Sequence, residues 1–179
     1  MNAPDTSDDG PVTSEGEARA VAAVTAYGIP YAVARHGRVD SLAAAAAARG
    51  VRPSDIIKTL VVRRADDDYL FVLVPGGRRF SWPKLRALLG TSRLSMPDAA
   101  VAREVTGYER GTITPFGSTR PWPVVADTTV VGRTVSIGAG AHGVSLTVSG
   151  DDVVRVFDAE VADIGDDVDE VDADRPGQG

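Results

Sequence analysis

Ile56-Ile57-Lys58-Thr59-Leu60-Val61-Val62, followed after Asp66-Asp67-Asp68 by Tyr69-Leu70-Phe71-Val72-Leu73-Val74, decides the fold. Both runs are short, rich in β-branched and aromatic residues, and separated by turn formers, so they read as two strands of a hairpin. The second is apolar throughout and suits the middle of a sheet. Lys58 is out of place in the first. The chain holds 17 Arg and only two Lys, Lys58 and Lys84, so arginine is its default cation. A lysine among six apolar or β-branched neighbours either snorkels to water along its stem or stands in the wall of a site. An unpaired buried ammonium costs several kcal/mol or gives up part of its basicity. Its compact charge and shiftable pKa suit it to catalysis.

Outward from the hairpin, helices and strands alternate irregularly. Ser14-Glu15-Gly16-Glu17 has capping-box spacing, with Val21, Val24 and Tyr27 at helical intervals and Gly28-Ile29-Pro30 as the stop. Tyr31 to Arg35 alternates as a strand. Ser41 caps a predicted helix through the alanine run Leu42 to Arg49, and Gly50 ends it. After Gly76-Gly77-Arg78-Arg79 turns the chain, Ser81 and Pro83 open a helix that Gly90 closes. Pro97 to Val105 reads as another. Residues 107–123 hold six glycines and prolines, too many for regular structure, yet also Tyr108, Ile113, Phe116 and Trp122. A long loop pinned by apolar side chains is more often functional than idle. Strands return at Pro123–Ala126, Thr134–Ile137 and Val144–Val148, followed by a helix over Ser149–Val156 and a strand over Val161–Ile164. The expected fold is α+β: one domain, residues 15–164, with a mixed, curved β-sheet surrounded by helices. Residues 1–14 and 165–179 are expected to be disordered acidic tails.

The length of 179 residues suits a single domain. The net charge of −6 is unevenly spread, because residues 1–14 carry −3 and 163–179 carry −6, leaving 15–162 at +3. That mildly basic remainder permits contact with a few phosphates but does not resemble a broad nucleic-acid coat. With no cysteine there is no disulfide, thiol nucleophile or thiolate metal site. Two histidines, His36 and His142, make a histidine metal centre improbable, and neither a metal nor a cofactor is expected. No apolar run approaches a bilayer span, and the start lacks the basic-then-apolar order of a signal peptide, so no membrane partner and a cytoplasmic location are the expectations.

Familiar catalytic templates are missing: no Gly-x-x-x-x-Gly-Lys-[Ser/Thr], His-Glu-x-x-His or Gly-x-Ser-x-Gly occurs. Gly138-Ala139-Gly140-Ala141-His142-Gly143 imitates a dinucleotide fingerprint, but it lies between two strands and opens no helix, so it reads as a hairpin turn. Three features are left: Lys58-Thr59, the loop Gly111-Thr112-Ile113-Thr114-Pro115-Phe116-Gly117, and the glycine turn at 138–143. Loops poor in projecting side chains suit ligands held by backbone groups, such as a ribose or a terminal adenosine.

In this order the three resemble the YbaK/ProX aminoacyl-tRNA deacylases, related to the editing domain of bacterial prolyl-tRNA synthetases. The matching text is Ile57-Lys58-Thr59-Leu60-Val61-Val62, Val74-Pro75-Gly76-Gly77-Arg78-Arg79, Thr106-Gly107-Tyr108-Glu109-Arg110-Gly111, Thr114-Pro115-Phe116-Gly117, Val124-Val125-Ala126-Asp127 and Gly138-Ala139-Gly140. The resemblance runs over about residues 20–164. It implies hydrolysis of amino acids wrongly esterified to tRNA, with Lys58 matching the family's essential strand lysine. Gly111 to Pro115 matches the loop that holds the 3′-terminal adenosine and the ester, and Gly138 to Gly140 matches a pocket-lining turn. His36 falls where many members carry a histidine, Asp127 matches a strand-end aspartate that orients or fixes a loop, and Ser145 falls where some relatives place a polar pocket residue. Thr59 and Phe116 flank these motifs. Three departures stand out: the alanine-rich segment after Ser41, Arg110-Gly111 in place of Gly-Gly, and His142 where a basic residue is frequent.

The implied partners are mischarged aminoacyl-tRNA and an aminoacyl-tRNA synthetase. An aminoacyl ester is already activated, so hydrolysis mainly needs positioning and a charge for the developing oxyanion, which Lys58 would supply. Two other readings remain open: a non-catalytic module that binds a tRNA acceptor end or a nucleotide, and an interaction protein in which Lys58 merely snorkels.

Overall fold

Ser14, Ser41, Ser81, Asp98 and Ser149 each stand immediately before a helix. Each side-chain oxygen accepts the backbone N–H three residues on, as in Glu17 N–H to Ser14 Oγ at 3.2 Å and Val101 N–H to Asp98 Oδ1 at 2.9 Å. The helices are α1 (Glu15–Ala26), α2 (Leu42–Arg49), α3 (Trp82–Leu89), α4 (Ala99–Thr106) and α5 (Gly150–Val156) in a computed structural model that describes residues 14–168. Gly50, Gly90 and Gly107, all left-handed, close α2, α3 and α4. The helix expected over Pro97–Val105 begins later, at Ala99, because Asp98 takes the cap.

The hairpin forms as expected. Strands β2 (Ile57–Ala65) and β3 (Asp68–Pro75) pair antiparallel with Lys58 opposite Val74, and the register shifts between Arg63 and Ala65. β3 runs parallel to β5 (Val124–Asp127), and β5 parallel to β8 (Glu160–Ala162), giving the order β2-β3-β5-β8. A second, antiparallel sheet has the order β1-β7-β6, from Tyr31–Arg35, Val144–Ser149 and Thr134–Gly138. An isolated parallel bridge, Ile56 to Ser136, joins the two sheets. The α+β class with mixed, curved sheets is therefore observed.

Strand alternation then sorts the apolar residues onto two faces. On one face Ile57, Val61, Phe71, Leu73, Ala126, Ile137 and Leu146 form the main core with Ala20 and Val24 of α1, Val105 of α4 and Val153 of α5. On the other, Val62, Leu70, Val72 and Val74 pack against Leu85 of α3, while Ile56 packs against Ala45 and Ala46 of α2.

Residues 107–123 are irregular, as their composition implies, and are held by specific bonds. The Tyr108 hydroxyl donates to Phe116 O at 2.7 Å, and Trp122 Nε1 donates to Val105 O at 2.7 Å. Arg19 of α1 donates to Gly107 O at 2.7 Å and Gly117 O at 3.3 Å, with its guanidinium 4.6 Å over the Tyr108 ring.

The C-terminal end differs from expectation. The stretch read as one strand over Val161–Ile164 is β8, then a fully buried Ile164, then β9 (Gly165–Asp167), which pairs with β4 (Arg78–Phe80). Gly165–Asp167 was expected to open the acidic tail. Its aspartates are held by cations instead: Arg78 meets Asp167 at 2.8 Å and Lys84 meets Asp166 at 2.9 Å. Residues 1–13 and 169–179, where the rest of both expected tails falls, lie outside the described residues.

Candidate active site where two sheets part

The bridge from Ile56 to Ser136 is where β2 and β6 touch, and the two strands run parallel there. Two residues further along each lie Lys58 and Gly138, but no ladder continues between them. The backbone of the irregular loop lies over the sheet face at Gly138. A Cβ on Gly138 would sit 2.9 Å from Ile113 O and 3.4 Å from Thr112 O, so only glycine lets the strand and loop meet so closely. Gly140 N–H donates to Thr112 O at 3.1 Å, with φ +79°. The loop and the glycine turn, far apart in sequence, thus form one unit at the open edge beside β2.

Lys58 shares its sheet face with Ile56 and Leu60, whereas Thr59 points to the opposite, core face. The Lys58 side chain reaches water, which differs from the buried position its neighbours suggest. Even so, desolvation by surrounding protein holds its pKa below the ordinary 10.5, and the nearby positive charge of Arg79 adds to that. The two facts agree for a side chain that meets water while the protein packed around it takes away part of its hydration. Among the described residues its ammonium has no hydrogen bond and no counter-ion.

The side chains of the loop are consumed in holding its shape. Thr112 Oγ1 donates to Glu109 O at 2.7 Å, Thr114 Oγ1 accepts Phe116 N–H at 3.3 Å, and Ile113, Pro115 and Phe116 are buried. Phe116 is a core residue, edge-on to Tyr27 and Phe157. Gly111, with φ +89°, stays at the surface. Beside it stands His142, whose Nε2 lies 3.6 Å from Glu109 Oε2.

Ser145 lies opposite Gly138 in the β6–β7 ladder and therefore shares its face; its hydroxyl is fully buried with no hydrogen-bond partner. The Thr59 hydroxyl is likewise enclosed and unpartnered. His36 is half-buried, with its backbone N–H donating to Gly143 O at 2.9 Å, so it is tied to the far end of the glycine turn. Its Nε2 accepts from Arg49 Nε at 3.3 Å, which leaves the proton on Nδ1 to donate to Gly37 O at 2.7 Å. Ala139 is buried in the main core and anchors the turn. Asp127 stands apart from this group. Fully buried, it accepts Ile164 N–H at 3.2 Å and Thr129 N–H at 3.0 Å and faces Arg78 Nε at 3.3 Å. It orders the Arg78 strand, which leads to Arg79 and so to the surroundings of Lys58.

Two hollows occur elsewhere. One of about 310 Å³ lies by Arg64, Leu70 and Phe157, and one of about 360 Å³ lies by Gly16, Tyr108, Thr112, Gly140 and His142. The second backs onto the loop and turn, but Lys58 lines neither. An exposed, unpaired cation on a sheet face suits a ligand that docks on a surface and does not fill a closed cavity. Among the described residues no cluster of three His, Cys, Asp or Glu is placed to hold a metal, and no helix is long and apolar enough to cross a membrane.

A family model described as the aminoacyl-tRNA editing domain matches residues 36–156, which contain Lys58, the loop and the glycine turn. The chain belongs to that family. This editing domain is 39% identical over 97 residues, 54% of its length, to a proline–tRNA ligase of Heliobacterium modesticaldum, and 31% identical over 104 residues, 58% of its length, to that of Bacillus licheniformis. The matched stretches span only 16% and 18% of those ligases. A solved structure of a candidate trans-editing enzyme for prolyl-tRNA synthetase shares the fold, with a TM-score of 0.77 at 24% identity over 86% of this chain and 98% of the other.

Sequence reasoning missed Arg49 and Ser136. Arg49 Nη1 donates to the buried Ser136 Oγ at 3.2 Å, and with His36 the pair roofs the bridge where the sheets part. The signal was weak: a single arginine at the end of an alanine helix reads as a solvated C-terminal charge. His142 was also passed over as a site residue, because nothing in the turn shows that it folds back against Gly111.

Proposed function

We propose that this editing domain hydrolyses the ester of mischarged aminoacyl-tRNA, with Lys58 as the electrostatic catalyst. The observation that carries the reading is an ammonium without a counter-ion level with a backbone-lined turn and loop. A fixed, partly desolvated charge stabilises a developing oxyanion far better than one in open water. Water attacks the ester carbonyl carbon, Lys58 faces the resulting oxyanion, and collapse releases the amino acid and the ribose hydroxyl. The free neighbouring ribose hydroxyl or a second water relays the proton of the attacking water to the departing ribose oxygen. The Gly111–Pro115 backbone, with Gly138 to Gly140 behind it, positions the terminal adenosine. The prolyl-tRNA ligase relatives support a synthetase as partner, and charged tRNA as substrate supports a cytoplasmic location.

Incubation with a panel of mischarged tRNAs, following ester loss, tests this directly. The wild-type chain should deacylate at least one member, Lys58→Ala should lose nearly all of that rate, and Lys58→Arg should not restore it, because a planar fork does not replace a point charge. Full activity in Lys58→Ala overturns the mechanism. Saturable RNA binding without turnover of any member instead favours a non-catalytic acceptor-end module.

A further inference from the structure

We propose that Arg49 is a second cation for the same substrate, a positioning residue that holds a phosphodiester of the acceptor strand while Lys58 serves the ester. This rests on the deacylase reading. Arg49 is the last residue of α2 and half-buried, and both of its hydrogen-bond partners are neutral: Ser136 Oγ at 3.2 Å and His36 Nε2 at 3.3 Å. Among the described residues no carboxylate answers it, whereas Arg78 faces Asp127 at 3.3 Å, Arg133 faces Asp55 at 3.6 Å and Arg64 faces Asp68 at 2.7 Å. Burial also holds its pKa below the ordinary guanidinium value. A half-buried charge without a counter-ion is costly to keep, and an anionic ligand relieves that cost.

Its position says which ligand. Ser136 is the residue bridged by Ile56, so Arg49 stands at the head of the same parting where Lys58 stands two residues on. Its Nη2 makes no hydrogen bond among the described residues, leaving one prong of the fork free for a phosphate oxygen. The unpartnered, fully buried Ser145 hydroxyl lies on the same face of the β6–β7 ladder as Ser136, opposite Gly138. His36 and Ser136 hold the guanidinium in place, so little side-chain freedom is lost on binding.

The test compares the wild-type chain with Arg49→Ala and with Arg49→Gln, which keeps size and a donor for Ser136 but loses the charge. Affinity for an uncharged RNA hairpin ending in CCA is read by fluorescence anisotropy. Deacylation is measured on the aminoacylated hairpin and on 3′-O-aminoacyl-adenosine, which has no phosphate. Both variants should weaken hairpin binding about tenfold and raise its KM by the same factor with kcat unchanged. Neither should alter turnover of aminoacyl-adenosine, and the salt dependence of hairpin binding should drop by about one phosphate contact. Arg49→Gln keeps the test decisive if Arg49→Ala does not fold. Unchanged hairpin affinity overturns the proposal, as does an equal loss on both ester substrates. Inorganic phosphate is titrated as well; binding that matches the hairpin and falls equally in the variants would overturn the acceptor strand as its source. If the wild-type chain turns over no ester, the deacylase reading fails, while the hairpin arm still decides Arg49.

Discussion

Replacing Lys58 with Met separates a working charge from a structural one. Among the described residues no counter-ion holds the ammonium, and desolvation with repulsion from Arg79 lowers its pKa, so the charged form costs the folded state free energy. A fully buried, unpaired ammonium costs several kcal/mol, but Lys58 touches water, and screening leaves a fraction of that, about 1 kcal/mol. Met keeps the unbranched stem and its packing beside Val74 while removing the charge. The variant should therefore unfold about 2 to 4 °C higher than wild type by calorimetry while losing its deacylation. The pH dependence has a fixed sign. A lysine whose folded pKa lies below 10.5 leaves the unfolded chain holding more protons between the two values. Wild-type stability should accordingly rise with pH across that window, and Lys58→Met should lack the rise. A variant destabilised by more than about 1 kcal/mol would show that the lysine supports the fold, and the site would have to be sought elsewhere.

Gly140 and Gly50 share a left-handed backbone, at φ +79° and +69°, but only Gly140 is crowded, with Gly16 O 2.4 Å from the place of a Cβ. Gly50→Ala should cost about 1 kcal/mol, whereas Gly140→Ala should cost at least about twice that in urea unfolding and also slow deacylation. Arg19→Met removes the two carbonyl bonds that gather residues 107 and 117. It should cost about 2 kcal/mol and raise amide exchange in residues 107–117 more than in β3. Hydrogen bonding to Arg52, outweighing burial, keeps the Asp55 carboxyl below its ordinary 3.8. Its stabilisation is thus complete above pH 3.8 and lost as pH falls through the lowered value, so Asp55→Asn should unfold up to about 2 °C lower at pH 7 and show a smaller gap from wild type in acid.

Local rules made much of the fold legible. Three helix starts followed from Ser14, Ser41 and Ser81 placed before their runs, while the Asp98 cap went unread, and the hairpin followed from apolar runs with three aspartates between them. What escaped was non-local. Arg78–Phe80 looked like part of a turn because its partner strand, Gly165–Asp167, comes much later and its three residues carry two aspartates. Nothing in that acidic stretch announces a strand until Arg78 and Lys84 are brought to meet it. The site divides in the same way. Lys58 and the glycines were readable because each is the wrong residue for its bland role, a cation in an apolar run or a backbone without Cβ. Arg49 and Ser136 are unremarkable in sequence and acquire meaning only when α2 is laid across the bridge.

The parting of β2 and β6 explains why such ordinary residues can form a site. Had the ladder continued past Ile56 and Ser136, Lys58 would sit in a closed sheet, and the edges of both strands would be consumed by pairing. The backbone of Thr112 and Ile113 covers the sheet face at Gly138, while the position of Lys58 stays open to water. That covering demands glycine at 138, where a side chain would collide with the loop, and at 140, where the turn must reverse in the left-handed region. It also demands that the loop be rigid, which Tyr108, Trp122 and Arg19 secure from the core side. The ester hydrolysis proposed above would need a positioned ester and one fixed charge, and would ask of the chain neither a cysteine nor a serine-hydrolase motif.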